Sequence, residues 1–172
     1  MLRLSVLASV LLVAASASAQ TPSVDQVRNM LSAFEEGPSA ETWQALGPET
    51  LVVLEQLYDD EGQQPFVRLR AIHAAGHFPS EASRSFLKRV AMREGQLDLH
   101  VRAALRTMAR AFGESALADI RPFLSHRETV IREGAVLALG TIATPRARTL
   151  LQSRLSVERN EAVKATLQRT LR

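Results

Sequence analysis

Small apolar residues recur along the chain in segments that begin with an aliphatic residue followed by a cation. The two clearest copies are VRLRAIHAAG at residues 67–76 and IREGAVLALG at residues 131–140. Looser copies begin at Val101 and Val163, so the four segments start 34, 30 and 32 residues apart. A period of this length, with one such helix in each unit, is typical of stacked helical repeats. No segment shows the sustained period-two alternation of a half-buried strand, so the pattern predicts an all-α fold.

Apolar stripes between these segments predict a first helix for each unit. Leu51, Leu54 and Leu57 share one helix face, as do Phe86, Leu87 and Val90. We therefore predict a right-handed α-solenoid of about five stacked antiparallel helix pairs. The predicted boundaries are an acidic helical N-terminal cap at 20–47 and a repeat domain at 48–172, with units of about 48–78, 79–113, 114–141 and 144–172.

Alanines in the repeated segments have a predicted packing role. Ala71 and Ala74 lie four and seven residues after Val67, and Ala135 and Ala138 stand at the same positions after Ile131. This spacing places them on one helix face. Because alanine is small, it would let neighbouring helices approach closely, while larger residues of the partner helix fill the remaining core.

The first nineteen residues have the pattern of a cleavable export signal. A positive start at residues 1–3 precedes an apolar run from Leu4 to Ala15, and Ala17 and Ala19 supply the small residues of a cut site. The run is shorter than the roughly 20 residues that cross a bilayer. We therefore expect a signal peptide at 1–19, cut after Ala19, and a periplasmic or secreted protein with no stable membrane span.

Charge is distributed unevenly along the chain, although the formal net charge is only +3. Residues 20–64 carry nine acidic residues and one basic residue, whereas residues 65–172 carry nineteen basic and nine acidic residues. Such asymmetry favours an anionic partner, or self-association in which the acidic end of one copy docks on the basic end of another. Solvated outer faces in an arginine-rich chain would explain it equally well.

The repeated segments resemble those of HEAT-like repeat proteins, a group that includes the bilin-lyase type of HEAT repeat. The resemblance is carried by the two segments quoted above and, more loosely, by LHVRAALRTMARAFG and AVKATLQRTL. It implies that the second helix of each pair lines an inner concave surface. It also implies an inter-repeat ladder, in which a residue just before each second helix pairs with a cation of a neighbouring repeat. The ladder residues are Arg68, Arg102, Arg132, Lys164, Asp98 and Glu128.

Three arginines are the predicted partner-binding residues. Arg102, Arg106 and Arg110 lie four residues apart, so they form one cationic stripe along a helix. Guanidinium groups suit carboxylates and phosphates, and the alternative is a solvated face with local ion pairs. An unknown protein or an anionic envelope component fits an exported chain. Nucleic acid is not expected, because the chain is exported and has only 5% aromatic residues to stack on bases.

Catalytic chemistry finds no support in the sequence. The chain has no cysteine, no Gly-x-Ser-x-Gly motif and no glycine-rich phosphate loop. His73 and His77 are four residues apart and could grip a metal from one helix face. However, the His-Glu pairs found in the di-iron hydroxylase relatives of HEAT-like proteins are absent. The favoured role of His77, which lies at a predicted helix end, is that of a cation complementing the helix dipole. We predict no catalytic, cofactor-binding or metal-binding residue.

These observations favour an exported, non-enzymatic binding or scaffold module that uses its second-helix surface. One alternative is a cofactor lyase or chaperone-like activity, which only the resemblance to bilin-lyase-type proteins suggests. The other is structural self-association through the acidic N-terminal and basic C-terminal ends.

Overall fold

The computed structural model describes residues 21–33 and 37–172, and these residues form helices with no strand among them. The predicted signal peptide lies outside the described residues. The α-helices are α1 (Val24–Ser32), α2 (Ala40–Ala45), α3 (Thr50–Asp59), α4 (Pro65–Ala74), α5 (Glu81–Met92), α6 (Asp98–Phe112), α7 (Leu117–Ile120), α8 (Thr129–Ile142), α9 (Pro145–Leu155) and α10 (Glu161–Leu171). Short 3₁₀ turns occupy Ala75–His77, Gly113–Ala116 and Arg121–Ser125.

Side chains cap many of the helix starts. The hydroxyls of Ser23, Ser39 and Ser80 each accept a backbone N–H from the first turn of the following helix. Thr144 and Asn160 do the same for α9 and α10. These local bonds explain why the breaks between helices fall close to where the sequence places them.

The helices form an all-α solenoid, as predicted. In the inner layer α4 packs on α6, α6 on α8 and α8 on α10. The first helices α3 and α5 pack mainly on the second helices of their own units, α4 and α6. The second helices therefore form the inner layer and the first helices the outer layer. In the third unit the first helix is broken, since α7 is a single turn between two 3₁₀ segments and Pro122 interrupts the ladder.

A continuous apolar core fills the space between the two layers. The predicted packing role of the alanines is confirmed, because Ala71, Ala74, Ala135 and Ala138 are all buried. Large residues such as Leu54 and Leu139 fill the remaining space. In the described part of the chain, no helix is both long and apolar enough to span a bilayer.

The first two helices are docked on the repeat units by specific contacts. The Arg70 guanidinium on α4 donates to the backbone carbonyls of Leu31 (2.7 Å) and Ala33 (2.6 Å) at the end of α1. The buried Trp43 of α2 stacks on the ring of His77, with 6.3 Å between centroids. These contacts cover the open side of the first repeat, as an end cap of a solenoid should.

Close helix approach in the inner layer predicts a specific packing defect. A Cβ at Gly140 of α8 would overlap Cγ2 of Thr170 on α10. We expect Gly140→Ala to lower the free energy of unfolding by about 1–2 kcal/mol, because overpacking outweighs the better helix propensity of alanine. Urea denaturation measures this loss. Adding Thr170→Ser, which removes the clashing methyl and keeps the hydroxyl, should restore most of the stability, and a double variant no better than Gly140→Ala would refute the clash.

Candidate functional site

Three cations of α5, on the outer layer, are held by carboxylates of neighbouring units. Arg89 on α5 pairs with Glu55 (2.9 Å) and Asp59 (2.8 Å) on α3. Arg84 and Lys88 on α5 pair with Asp119 on α7, at 2.7 and 3.1 Å. Inter-repeat ion pairs therefore run along the first helices. These three cations are therefore neutralised within the protein.

The predicted partner-binding arginines lie on the inner layer and lack such partners. Arg102, Arg106 and Arg110 project from α6, and we call them the arginine stripe. Within residues 21–33 and 37–172, none of the three forms an ion pair with a carboxylate. Arg106 and Arg110 are exposed and Arg102 is half-buried. The inner layer therefore presents uncompensated positive charge to solvent.

An open groove lies beside this stripe and crosses three second helices. Its cavity volume is about 190 Å³. Its walls include residues of all three helices: Leu69 on α4, Leu99, Arg102 and Arg106 on α6, and Gly134 and Leu137 on α8. We call it the second-helix groove. Leu99 and Leu137 are 55% and 50% exposed, respectively, so the groove offers apolar surface to a partner next to the cations.

A histidine from α4 holds Arg106 at the edge of the groove. Arg106 Nη2 lies 3.3 Å from His73 Nε2, and His73 Nδ1 lies 3.3 Å from Thr107 Oγ1. A guanidinium only donates, so Nε2 accepts and the Nδ1–H donates to Thr107. Burial, together with the charges of Arg106 and Arg110, lowers the pKa of His73 to about 4. The ring is therefore neutral near neutral pH, which keeps this acceptor available.

Gly134 positions the other groove arginine. A Cβ at residue 134 would lie 2.7 Å from Cγ of Arg102, closer than real side chains come. Because the glycine has no side chain, the Arg102 stem can lie flat against α8. Arg102 is half-buried and lines the groove.

The structure brings together few of the residues of the predicted ladder. Arg68 Nε donates to the carbonyl of Tyr58 at 2.7 Å, within its own repeat. Lys164 pairs with Glu161 of the same helix at 2.8 Å. Among the described residues, Asp98 forms no ion pair, and Glu128 pairs only with Arg127, its chain neighbour.

Arg132 is the exception, and its partner comes from a residue that the sequence reasoning missed. Glu158 is buried in the link between α9 and α10 and accepts from Arg132 Nε at 3.1 Å and from Arg154. It also accepts the backbone N–H groups of Arg159 and Asn160. Burial alone would raise its pKa, but these hydrogen bonds, led by that of Asn160, lower it to about 2.

The two histidines weighed as metal ligands have other contacts. Both ring nitrogens of His73 are engaged as described above, and His77 stacks on Trp43. Within the part of the chain that the structure describes, no group of three or more His, Cys, Asp or Glu residues could hold a metal ion. In this structure the histidines act as packing and positioning groups.

The environment of His73 predicts an abnormal titration. We expect its imidazole to titrate near pH 4 in an NMR pH series, because burial and two nearby guanidinium groups oppose its protonation. Arg106→Gln should raise this pKa by removing one like charge, although burial will keep it below the ordinary value. Arg121→Gln, at an exposed position of the outer layer, is the matched control and should leave it unchanged. Titration near pH 6.5 in the unaltered protein would contradict the arrangement.

Comparison with known families supports the architecture over the C-terminal part of the chain. Residues 94–172 match a family model described as HEAT repeats. The matched region contains α6 to α10, and therefore two of the three helices that form the groove. The match supports a HEAT-like repeat protein, and the bilin-lyase type stays a prediction. A comparison with curated proteins found no match.

Sequence reasoning missed the apolar and positioning parts of this site. The sequence did not single out Leu99 or Leu137, because nothing in a single helix distinguishes the core face from its flank. Gly134, the first of the two glycines in IREGAVLALG, was visible as part of the motif. A helix-interior glycine costs roughly 1 kcal/mol relative to alanine, and that cost could have marked Gly134 as a point of close approach.

Proposed function

We propose that this protein is a non-enzymatic binding module that holds an acidic protein, or another anionic component, against the surface of its second helices. HEAT-like architecture is compatible with such a role, because stacked repeats present an extended inner surface. The observation that carries the proposal is the contrast between the two layers. The outer-layer cations of α5 are paired with carboxylates, whereas the arginine stripe is unpaired and borders an exposed apolar groove.

This arrangement of charge and apolar surface is unfavourable in the free protein and becomes favourable when a partner binds. Three arginines on one helix repel each other, and the leucines beside them leave apolar surface in water. A partner with carboxylates would neutralise the arginines through charge-assisted hydrogen bonds. The same partner would bury Leu99 and Leu137, which are about half exposed. Both contributions stabilise the complex and neither is available to the free protein.

Affinity capture with matched charge variants tests the proposal. Three immobilised proteins would each be incubated with extract of the source cells. They are the unaltered protein, the stripe variant Arg102→Glu/Arg106→Glu/Arg110→Glu and the control Arg121→Glu/Arg127→Glu/Arg146→Glu. Both variants change the net charge equally, and the control residues are exposed positions outside the groove. We expect partners that elute with added salt, remain with the control and weaken at least about tenfold with the stripe variant.

One result of this capture experiment would contradict the proposal. If both triple variants lost the same partners to the same degree, binding would follow bulk charge and the second-helix surface would have no special part. Export also stays a prediction, so the extract should contain soluble and envelope fractions.

A further inference from the structure

The arginine stripe has a spacing that matches one particular kind of partner surface. Successive members lie four residues apart on α6, which corresponds to about 6 Å along the helix axis. A second helix carrying glutamates at positions i, i+4 and i+8 repeats its carboxylates at the same interval. When such a stripe faces α6, each glutamate can reach the arginine at the same step, because both side chains are long and flexible.

The shape of the second-helix groove agrees with a helical occupant. Its lining on α6 extends from Leu99 to Arg106, which corresponds to about two turns along the axis. The groove is apolar at Leu69, Leu99 and Leu137 and basic on the side of Arg102 and Arg106. A helix whose leucines lie next to its glutamates would place one type of side chain in each part.

We propose that the second-helix groove binds an amphipathic acidic helix of a partner protein. This inference rests on the proposed function and specifies the partner's chemistry. The helix lies along α6, with its carboxylates on Arg102, Arg106 and Arg110 and its leucines in the cavity of about 190 Å³ beside them. This is the groove mode of peptide recognition, in which anchors recur at helical spacing.

Two positioning groups give the site its selectivity. His73 holds Arg106 through Nε2, and Gly134 leaves room for the Arg102 stem. Both arginines are therefore partly ordered before a partner binds, which lowers the entropy lost on binding. Unordered surface arginines would accept any anion with similar affinity, whereas ordered ones favour carboxylates at the matching interval.

Three synthetic peptides test the inference by fluorescence anisotropy. The first has glutamates at i, i+4 and i+8 and leucines at i+3 and i+7. The second has the same charge with a central proline that breaks the helix, and the third has lysines for the glutamates. We expect the first peptide to bind at least about tenfold more tightly than the second, and the third not to bind. The affinity of the first peptide should fall as salt is added.

Variants of the protein separate the two parts of the site. Arg102→Glu/Arg106→Glu and, independently, Leu137→Ala should each weaken the first peptide, while Arg121→Glu/Arg146→Glu should not. Leu137 is half exposed, so its truncation leaves folding intact. Equal binding of the first and second peptides, or no binding of the first, overturns the inference. If captured cell partners still depend on the stripe arginines in that case, the proposed function survives alone; if they do not, both fail.

Discussion

Glu158→Gln should lower the free energy of unfolding by about 3 kcal/mol at neutral pH, one of the largest losses expected from a single substitution in this chain. The Glu158 carboxylate is almost fully buried between Arg132 and Arg154, and it also accepts two backbone N–H groups. A neutral amide leaves both guanidinium groups without their counter-charge. Removing one member of a buried ion pair costs roughly 3–5 kcal/mol for this reason. Urea denaturation at pH 7 measures the effect.

The pH dependence provides the more specific check. The pKa of Glu158 is about 2 in the folded protein, below the usual value of about 4.3. A lowered carboxyl pKa contributes stability above the unfolded value and loses it as the pH falls through the folded one. The difference between the unaltered protein and Glu158→Gln should therefore shrink from about pH 4.3 downwards and approach zero near pH 2. A constant difference across this range would contradict the assignment.

A matched control exists on the next helix. Glu161 pairs with Lys164 at 2.8 Å, but its side chain is 84% exposed. Glu161→Gln should change stability by less than about 1 kcal/mol, as is usual for surface ion pairs. A similar loss in both variants would mean that burial of Glu158 is not what makes it stabilising.

Phe86→Ala is the second substitution with a large expected effect, about 3–5 kcal/mol of unfolding free energy. The ring is buried on α5 and meets the ring of Tyr58 on α3 edge to face, with 5.4 Å between centroids. His100 on α6 packs against the same tyrosine, at 5.7 Å. The three rings join α3, α5 and α6, so truncation leaves a cavity at the junction of two repeat units.

Phe86→Leu separates the lost contact from the lost volume. Leucine fills most of the cavity, so we expect a loss below about 1.5 kcal/mol, including what the aromatic pair adds beyond area burial. Because neighbouring repeats stabilise each other, proteolysis should also cut the region of α3 to α5 sooner in Phe86→Ala. Equal destabilisation by both substitutions would show that the cavity is not the main cost.

The sequence predicts much of the architecture because the fold is built from local signals. The periodicity of the repeated segments, the capping serines and the small residues at Ala71 and Ala135 each report on a single helix. Stacking then follows, since one helix pair cannot bury its apolar face alone. Tertiary interruptions are harder to predict, and the 3₁₀ segments on both sides of α7 were not foreseen.

The candidate site could be predicted only in part. The arginine stripe is a property of one helix, so residue spacing reveals it. The pairing of Arg132 with Glu158, and the absence of a pair for Asp98, depend on how neighbouring repeats are oriented. Leu99 and Leu137 likewise form one surface only because α6 and α8 pack side by side. No single helix carries that information.

The most direct test of the account is a labelling experiment that locates bound partner on the protein surface. The chain contains no cysteine, so Leu137→Cys in the second-helix groove and Val52→Cys on the first helix α3 each introduce one thiol at an exposed position. We predict that a saturating captured partner slows maleimide labelling at position 137 at least about tenfold, because a bound groove excludes reagent, and leaves position 52 unaffected. Protection of position 52 with free labelling at position 137 would place the partner on the outer layer and contradict the account.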